Sequence, residues 1–412
     1  MMDVIDAVND LRRVTHTDLA ARVKNVAVIL TSPRSGSSLL KSVLSSHPEI
    51  ASLDGEMEPF LALTRNGFSF NAGSDALKSI DNQDVLLDNI FDDMTLPAGG
   101  ESDYLFLKDR WRKRLLLQFP ALFSEDRAHE QLIHDLDAVF RLAAEKKIQS
   151  EVMLQDLVLS RVFKSETWRL DYYDGKKNPA ASHSFNEPFK LEEPPFVVPR
   201  QHRRQLEPDD VEQKILLFKT PPDVYRIGMY EQLFPNARIR YLHLTRGYAQ
   251  SVNGLMDGWL SPVAFFSHDL ERIGLDLSIR GYSDTVSFGK RWWKFDLPPN
   301  WQEYLNTSLE EVCLNQWLSA HQAIIDSRVS SLSVSFEEFL SDPAGIIQKI
   351  TSYLGLPEML SLPIFPVTMA TEAPKIRRWH KREADLLRMG KRQDVQMMMD
   401  SLAYSMNPEA WL

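Results

Sequence analysis

The stretch NVAVILTSPRSGSSLLKSVLSSHP, Asn25 to Pro48, decides the fold. Val26-Ala27-Val28-Ile29-Leu30 is a short apolar run, the pattern of a strand buried on both faces of a parallel sheet. Thr31 to Ser38 is polar and tight. Leu39, Leu40, Val43 and Leu44 then recur at helical spacing, and Pro48 closes that helix. A strand, a Gly/Ser turn and a helix in this order form an anion site, because free backbone N–H groups meet the positive end of the helix dipole. Arg34 adds a permanent charge suited to forked oxyanion contacts. Ser35, Ser37 and Ser38 add hydroxyl donors, and Pro33 and Gly36 complete the loop. A nucleoside-triphosphatase loop needs Lys and then Ser/Thr directly after its last Gly; here Gly36 is followed by Ser37, and no Lys comes before Lys41.

The totals narrow the class. A chain of 412 residues buries a large core and forms one elaborated domain or two. With 43% hydrophobic and 25% charged residues it has the composition of an ordinary soluble protein. A net charge of −10 argues against a nucleic-acid binder working through a global positive field, but not against a local anion pocket. Cys313 is the single cysteine, so no disulfide framework or cysteine metal site is expected, and it reads as a core residue. No apolar run is long enough to span a membrane, and the N-terminus lacks a signal-peptide core; the expectation is a cytoplasmic protein.

Along the chain, residues 3–24 read as a helix leading into the first strand, and Glu49–Leu53 as a second strand. The loop Asp54-Gly55-Glu56-Met57-Glu58 follows at its carboxyl end, where ligands of open α/β sheets sit. Residues 60–210 read as a helical cap or substrate insertion, with QLIHDLDAVFRLAAEKK its clearest amphipathic run and a proline-rich irregular stretch from Tyr172 to Pro208. Arg112-Lys113-Arg114 reads as a solvated helix face. The α/β pattern resumes with a strand at Ile215–Phe218, a helix at Asp223–Phe234, a strand from Arg238 to Leu244 and a helix from Tyr248 to Asp257. Residues 258–300 form a second insertion, rich in aromatics, that reads as a lid or as a packed loop. Glu310–Arg328 is a helix, Leu332–Val334 a last strand, and Lys375–Arg382 a basic stretch.

PRSGSSLL resembles the 5′-phosphosulfate-binding loop of the sulfotransferases that use 3′-phosphoadenosine 5′-phosphosulfate (PAPS). FPNARIRYLHLTRGYAQSVNG resembles the same family's second segment, in which a strand ends in an Arg that meets the donor's 3′-phosphate. VSFEEFLSDPAGIIQKITSYLGLP resembles its late strand–helix element, and KIRRWHKRE the basic segment that closes over the cofactor. The resemblance covers roughly residues 25–60 and 214–357. It implies an α/β, P-loop-like three-layer fold: a single domain over residues 1–412 with a central parallel sheet, the cap at 60–210 and the aromatic insertion at 258–300.

The resemblance also implies a function: transfer of a sulfuryl group from PAPS to a hydroxyl or amine of a small-molecule, carbohydrate, lipid or carrier-bound acceptor, leaving PAP, with no metal. Pro33, Arg34, Ser35, Gly36, Ser37 and Ser38 would hold the phosphosulfate. Arg246 would hold the 3′-phosphate, with Arg377 or Arg378 (or Lys381) as a second contact. The family's usual spacing puts a Ser at Gly254; Ser251, nearly one helical turn earlier, takes that role in our reading, with Asn253 or a backbone N–H as alternatives. Arg34 and Lys219 would neutralise charge growing on the leaving phosphate. The cytosolic branch's base, a His, falls on Pro221; the branches that use Glu point to Glu56, with Glu58 second. A non-catalytic PAP/PAPS-binding protein of this fold and a P-loop phosphotransferase are the rival readings. The acceptor and the oligomeric state, a homodimer included, stay open.

Overall fold

A computed structural model describes residues 2–174, 183–359, 361–363, 365 and 367–411. Its centre is a mainly parallel sheet of seven strands, flanked by helices. The strands in chain order are β1 (Asn25–Thr31), β2 (Ile50–Ser52), β3 (Thr95–Pro97), β4 (Arg203–Gln205), β5 (Ile215–Phe218) and β6 (Arg238–Thr245), with β9 (Ser331–Ser335) the last; β7 (Phe266–Asp269) and β8 (Trp292–Lys294) form a separate hairpin. The spatial order is β4-β3-β2-β5-β1-β6-β9. β1 lies between β5 and β6 in parallel register, pairing Val28 with Phe218 and with Tyr241.

The apolar run in β1 is buried without a break because both faces of the sheet are covered. Its residues alternate, as strand geometry requires. Val26, Val28 and Leu30 join the larger core with Leu216, Phe218 and Tyr241. Ala27 and Ile29 join a second core on the opposite face with Leu217, Leu242 and Val334. That second core is closed by Leu40, Val43 and Leu44 of the helix Ser37–Leu44 and by Ile346, Ile347 and Ile350 of the helix Pro343–Leu354. Two cores with the sheet between them make the three layers. Five parallel strands end on one side, so Ser32, Lys219 and Arg246, each just past its strand, face a common crevice.

Segment 60–210 is mostly helical, with helices Gln83–Asp93, Tyr104–Gln118, Asp126–Glu145 and Glu151–Val162. It also supplies β3 and β4, so its two ends are stitched into the sheet edge: β3 is antiparallel to both β2 and β4. Residues 175–182 of the proline-rich stretch, Pro179 among them, lie outside the described residues.

Three sequence readings change. The helix expected over 3–24 covers only Met2–Arg12; the Thr17 N–H is taken by the Asp88 carboxylate at 2.8 Å, and a 3-10 turn, Ala20–Arg22, leads into β1. The expected helix over 223–234 is broken into a 3-10 turn, Pro221–Tyr225, and a short helix, Met229–Leu233. The Asp223 carboxylate accepts from Arg226 at 3.0 Å and from the Tyr230 hydroxyl at 2.5 Å, tying down the segment between them. Nor is Arg112-Lys113-Arg114 a solvated face. The Arg114 side chain is 2% exposed, with its guanidinium on Asp93 at 2.5 Å and on Glu192 at 2.9 Å, because this helix is covered by the chain on more than one side.

Candidate functional site

The loop after β1 turns through two left-handed residues, Arg34 (φ 66°) and Gly36 (φ 85°). At Arg34 this conformation costs on the order of 1 kcal/mol. At Gly36 it goes with a close approach: a Cβ there would sit 2.1 Å from the Phe336 ring, so only glycine fits. The turn delivers Ser37 and Ser38 to the first turn of the following helix, the end at which a helix leaves its early N–H groups free. The Arg34 side chain crosses the crevice, stacks over Phe265 (4.8 Å from its centroid) and donates to the Met369 carbonyl at 2.6 Å.

Arg246, just past β6, donates to the Arg34 carbonyl at 2.8 Å and lies over the Phe336 ring at 5.1 Å. Among the described residues neither Arg34 nor Arg246 forms a salt bridge. Burial, then the nearby guanidiniums of Arg246 and Arg378, lowers Arg34 to about 10, so it stays charged at neutral pH but at a cost. Burial likewise lowers Arg246. Arg378 completes the group, held by Glu372 at 2.7 Å and Asp257 at 2.9 Å.

Lys219, just past β5, bonds the Glu56 carboxylate and lies 3.2 Å from the Ser38 hydroxyl. The loop that carries Glu56 is pinned from below. Lys41 donates to the Gly55 carbonyl, Arg110 to the Asp54 carboxylate, and Arg200 to Asp54 at 3.1 Å. These guanidiniums outweigh the burial of Asp54 and hold it below the usual carboxylate range. Burial, with Lys219 adding, lowers Lys41 to about 7. Glu58 bonds Arg226; burial raises it to about 7, with the Arg226 charge opposing and Asp75 adding.

These groups border two cavities. The larger, about 690 Å³, is lined by the loop residues Pro33, Arg34 and Gly36–Ser38, and by Lys219, Arg246 and Arg378. The smaller, about 130 Å³, is lined by carboxylates and aromatics from the cap and the aromatic insertion. Pro33, Glu56, Glu58, Glu193, Pro221 and Phe295 line both and form their common boundary.

Most of the expected site residues therefore converge. Ser35 is behind the loop, fully buried, with its hydroxyl 2.8 Å from that of Ser32. Ser251 is not brought to the cavity: it is fully buried, and its hydroxyl donates to the Arg246 carbonyl at 3.4 Å. Its helix turns Gln250, Asn253 and Gly254 toward the cavity instead. Arg377 is exposed, with Glu409 as its partner, and is not in the lining. Sequence reasoning missed Lys41, Arg110 and Arg200, which position the Glu56 loop, and Phe336, the floor under Gly36 and Arg246. The only signal for them was a buried-looking Asp54 in need of cations. Glu337 does fix neighbouring loops, accepting from the Gly247 N–H at 3.0 Å and the Tyr404 hydroxyl at 2.8 Å.

Residues 27–359 match the sulfotransferase family. The chain belongs to that family. A comparison with curated proteins finds no match. Solved structures similar to this sulfotransferase-family chain include the sulfotransferase domain of the curacin biosynthetic pathway, at 14% identity, covering 93% of this chain and 99% of that one, with a TM-score of 0.36. The sulfotransferase domain of the Synechococcus PCC 7002 olefin synthase is similar at 15% identity, over 95% and 98% of the two chains, with a TM-score of 0.34. A sulfotransferase from Alicyclobacillus acidocaldarius is similar at 12% identity, over 93% and 97%, also with a TM-score of 0.34. Among the described residues of this sulfotransferase, no helix is long and apolar enough to cross a membrane, and no group of His, Cys, Asp and Glu is arranged to hold a metal ion.

Proposed function

We propose that this sulfotransferase uses PAPS as donor and transfers its sulfuryl group to a hydroxyl or amine of an acceptor in the smaller cavity. One observation carries the reading: two half-buried guanidiniums, Arg34 and Arg246, line one cavity, and neither has a carboxylate at ion-pair distance among the described residues, Glu337 acting on Arg246 only from farther off. A partly desolvated charge without an ion pair is costly, so the cavity favours an anion. The Arg34 Nε, buried and without a hydrogen-bond partner among the described residues, is a further donor. Two such centres suit a ligand with two anionic ends, as PAPS has.

When bound, PAPS supplies a sulfuryl group whose bond to the 5′-phosphate oxygen breaks, the electron pair leaving on that phosphate as the acceptor forms its new S–O or S–N bond, which yields PAP. The loop Pro33–Ser38 holds the phosphosulfate end through helix N–H groups and hydroxyls. Arg246 and Arg378 hold the 3′-phosphate, with Asn253 and Gly254 beside it in place of Ser251. Lys219 and Arg34 offset charge developing on the leaving phosphate. Glu56, on the boundary between the cavities, takes the acceptor's proton once Lys219 turns from it toward the phosphate. The aromatic insertion and the 189–193 segment of the cap wall the acceptor side.

The test is thermal stability with PAP or with ATP–magnesium, followed by product detection with labelled PAPS. PAP should raise the melting temperature, since a ligand of the folded state stabilises it by mass action. Glu56→Gln should keep PAP binding and lose turnover by about 100-fold or more. Stabilisation by ATP–magnesium and not by PAP would overturn the donor, and unchanged turnover in Glu56→Gln would move the base elsewhere.

A further inference from the structure

The smaller cavity gathers carboxyl groups from five separate segments: Glu56 and Glu58, Asp75, Glu193, Asp269 and Asp296. Five of the six are satisfied. Glu56 bonds Lys219, and Asp269 pairs with Arg272 and Arg291. Glu58 bonds Arg226, and Glu193 bonds the Ser267 hydroxyl. Asp75 lies 3.4 Å from His268 and accepts from the Leu297 N–H at 2.6 Å. Asp296 differs. One oxygen, Oδ2, accepts from the Tyr225 hydroxyl at 2.6 Å, while Oδ1 has no hydrogen-bond partner among the described residues although Asp296 is 1% exposed. Buried oxygens of this kind are rare and cost about 1–3 kcal/mol each when unmet.

The surroundings say what would meet it. Burial, with Asp75 adding, pushes the Asp296 carboxyl up to about 8, so the site is short of positive charge. The cations on the cavity wall are committed or distant. Arg272 is paired with Asp269 at 3.2 Å, and Lys190 donates to the Ser267 carbonyl at 3.2 Å and lies over the Trp292 ring. His268 faces Asp75. The wall also carries the aromatic rings of Phe68, Phe189, Trp292 and Phe295, with Asn66 and Ser69 among its polar residues. Aromatic faces and an unmet carboxylate together favour an ammonium group on an apolar stem. The volume, about 130 Å³, is close to that of a cavity of roughly 150 Å³ that holds benzene. It admits a molecule of about that size.

We infer that the smaller cavity binds the protonated amine of a small amino alcohol, with Asp296 Oδ1 accepting from the ammonium N–H and the aromatic wall covering the alkyl stem. This rests on the sulfotransferase reading only for the next statement, that the hydroxyl end of the same molecule faces Glu56 and is the acceptor.

Calorimetry on the intact protein, with and without saturating PAP, compares aminopentanol, pentanediol and hexanol, which differ only in a terminal amine, hydroxyl or methyl. The amine should bind about tenfold tighter than either neutral ligand, the equivalent of one charge-assisted hydrogen bond. Asp296→Asn should erase that preference. Tyr225→Phe, which removes the hydroxyl that Asp296 accepts from and keeps the carboxyl group, should preserve it. Equal binding of the three ligands, or a diol that matches the amine, overturns the inference, as does a preference that survives Asp296→Asn. Absent PAP binding would instead overturn the donor reading, and the amine comparison would still decide this one.

Discussion

The two cavities share a boundary and are built on opposite principles. The larger one is made by backbone: a left-handed turn, a helix N-terminus, and guanidiniums whose acceptors are main-chain carbonyls, Met369 for Arg34 and Arg34 for Arg246. The smaller one is made by side chains, acidic and aromatic, delivered by the cap and the aromatic insertion. The larger one gathers Arg34, Arg246 and Arg378 around the loop after β1, while carboxyl groups dominate the smaller. On their common boundary sits Glu56, paired with Lys219 from the larger cavity, one charge of each sign. A ligand end held by fixed chemistry is thereby separated from an end that changes whenever the insertions change.

Three experiments would break or sharpen that contrast. The largest effect is expected at Arg34. Arg34→Ala should weaken PAP binding by about 100-fold, a charge-assisted contact of roughly 2–3 kcal/mol, while aminopentanol binding stays within about threefold. Titration calorimetry of both ligands checks this; parallel losses would mean that the cavities are one site. The unliganded variant should be no less stable than the parent, because it loses a half-buried cation that has no ion pair among the described residues.

The second concerns pH. Asp296 has a folded-state value raised to about 8, so the folded protein holds a proton that the unfolded chain releases near 4. Its contribution to stability is full below about pH 4 and is lost as pH rises through about 8. Asp296→Asn, which cannot titrate, should therefore gain on the parent between pH 5 and pH 8 by at least about 1 kcal/mol in urea unfolding. A constant difference across that range would mean that the carboxyl is ionised in the folded state and that the smaller cavity is not short of positive charge. The smallest effect is expected at Ser251. Its hydroxyl is spent on the Arg246 carbonyl, so Ser251→Ala should change PAP affinity by less than about threefold. A tenfold loss would return it to the 3′-phosphate.

The contrast also accounts for what could be read in advance. β1, its loop and Arg246 were legible because backbone-made sites are local: a buried strand, a turn that tolerates only Gly36, a helix start and a strand end each leave a mark within a few residues. Ser251 was misplaced by helical phase. Gly247 and Tyr248 open that helix such that Gly254 faces Arg34 at 3.4 Å from its Cβ position, and a residue nearly one turn back then points into the packing. The carboxylates at 58, 75, 193 and 296 could not be grouped at all, since nothing in any one segment says that the other three are its neighbours. Arg114 reads as an exposed charge by type, and only Asp93 and Glu192 make it an interior one. The strands β3 and β4 are three residues each, too short to carry an alternation signal.

The hydrogen bond from Arg246 to the Arg34 carbonyl has a consequence beyond either residue. It clamps the end of β6 to the turn after β1, so the two jaws proposed to grip the ends of the donor cannot slide apart independently. The spacing of the jaws becomes a ruler written into the sheet. A molecule with a single anionic end can occupy either jaw but measures nothing; one whose two ends match the ruler is gripped twice for one loss of its freedom.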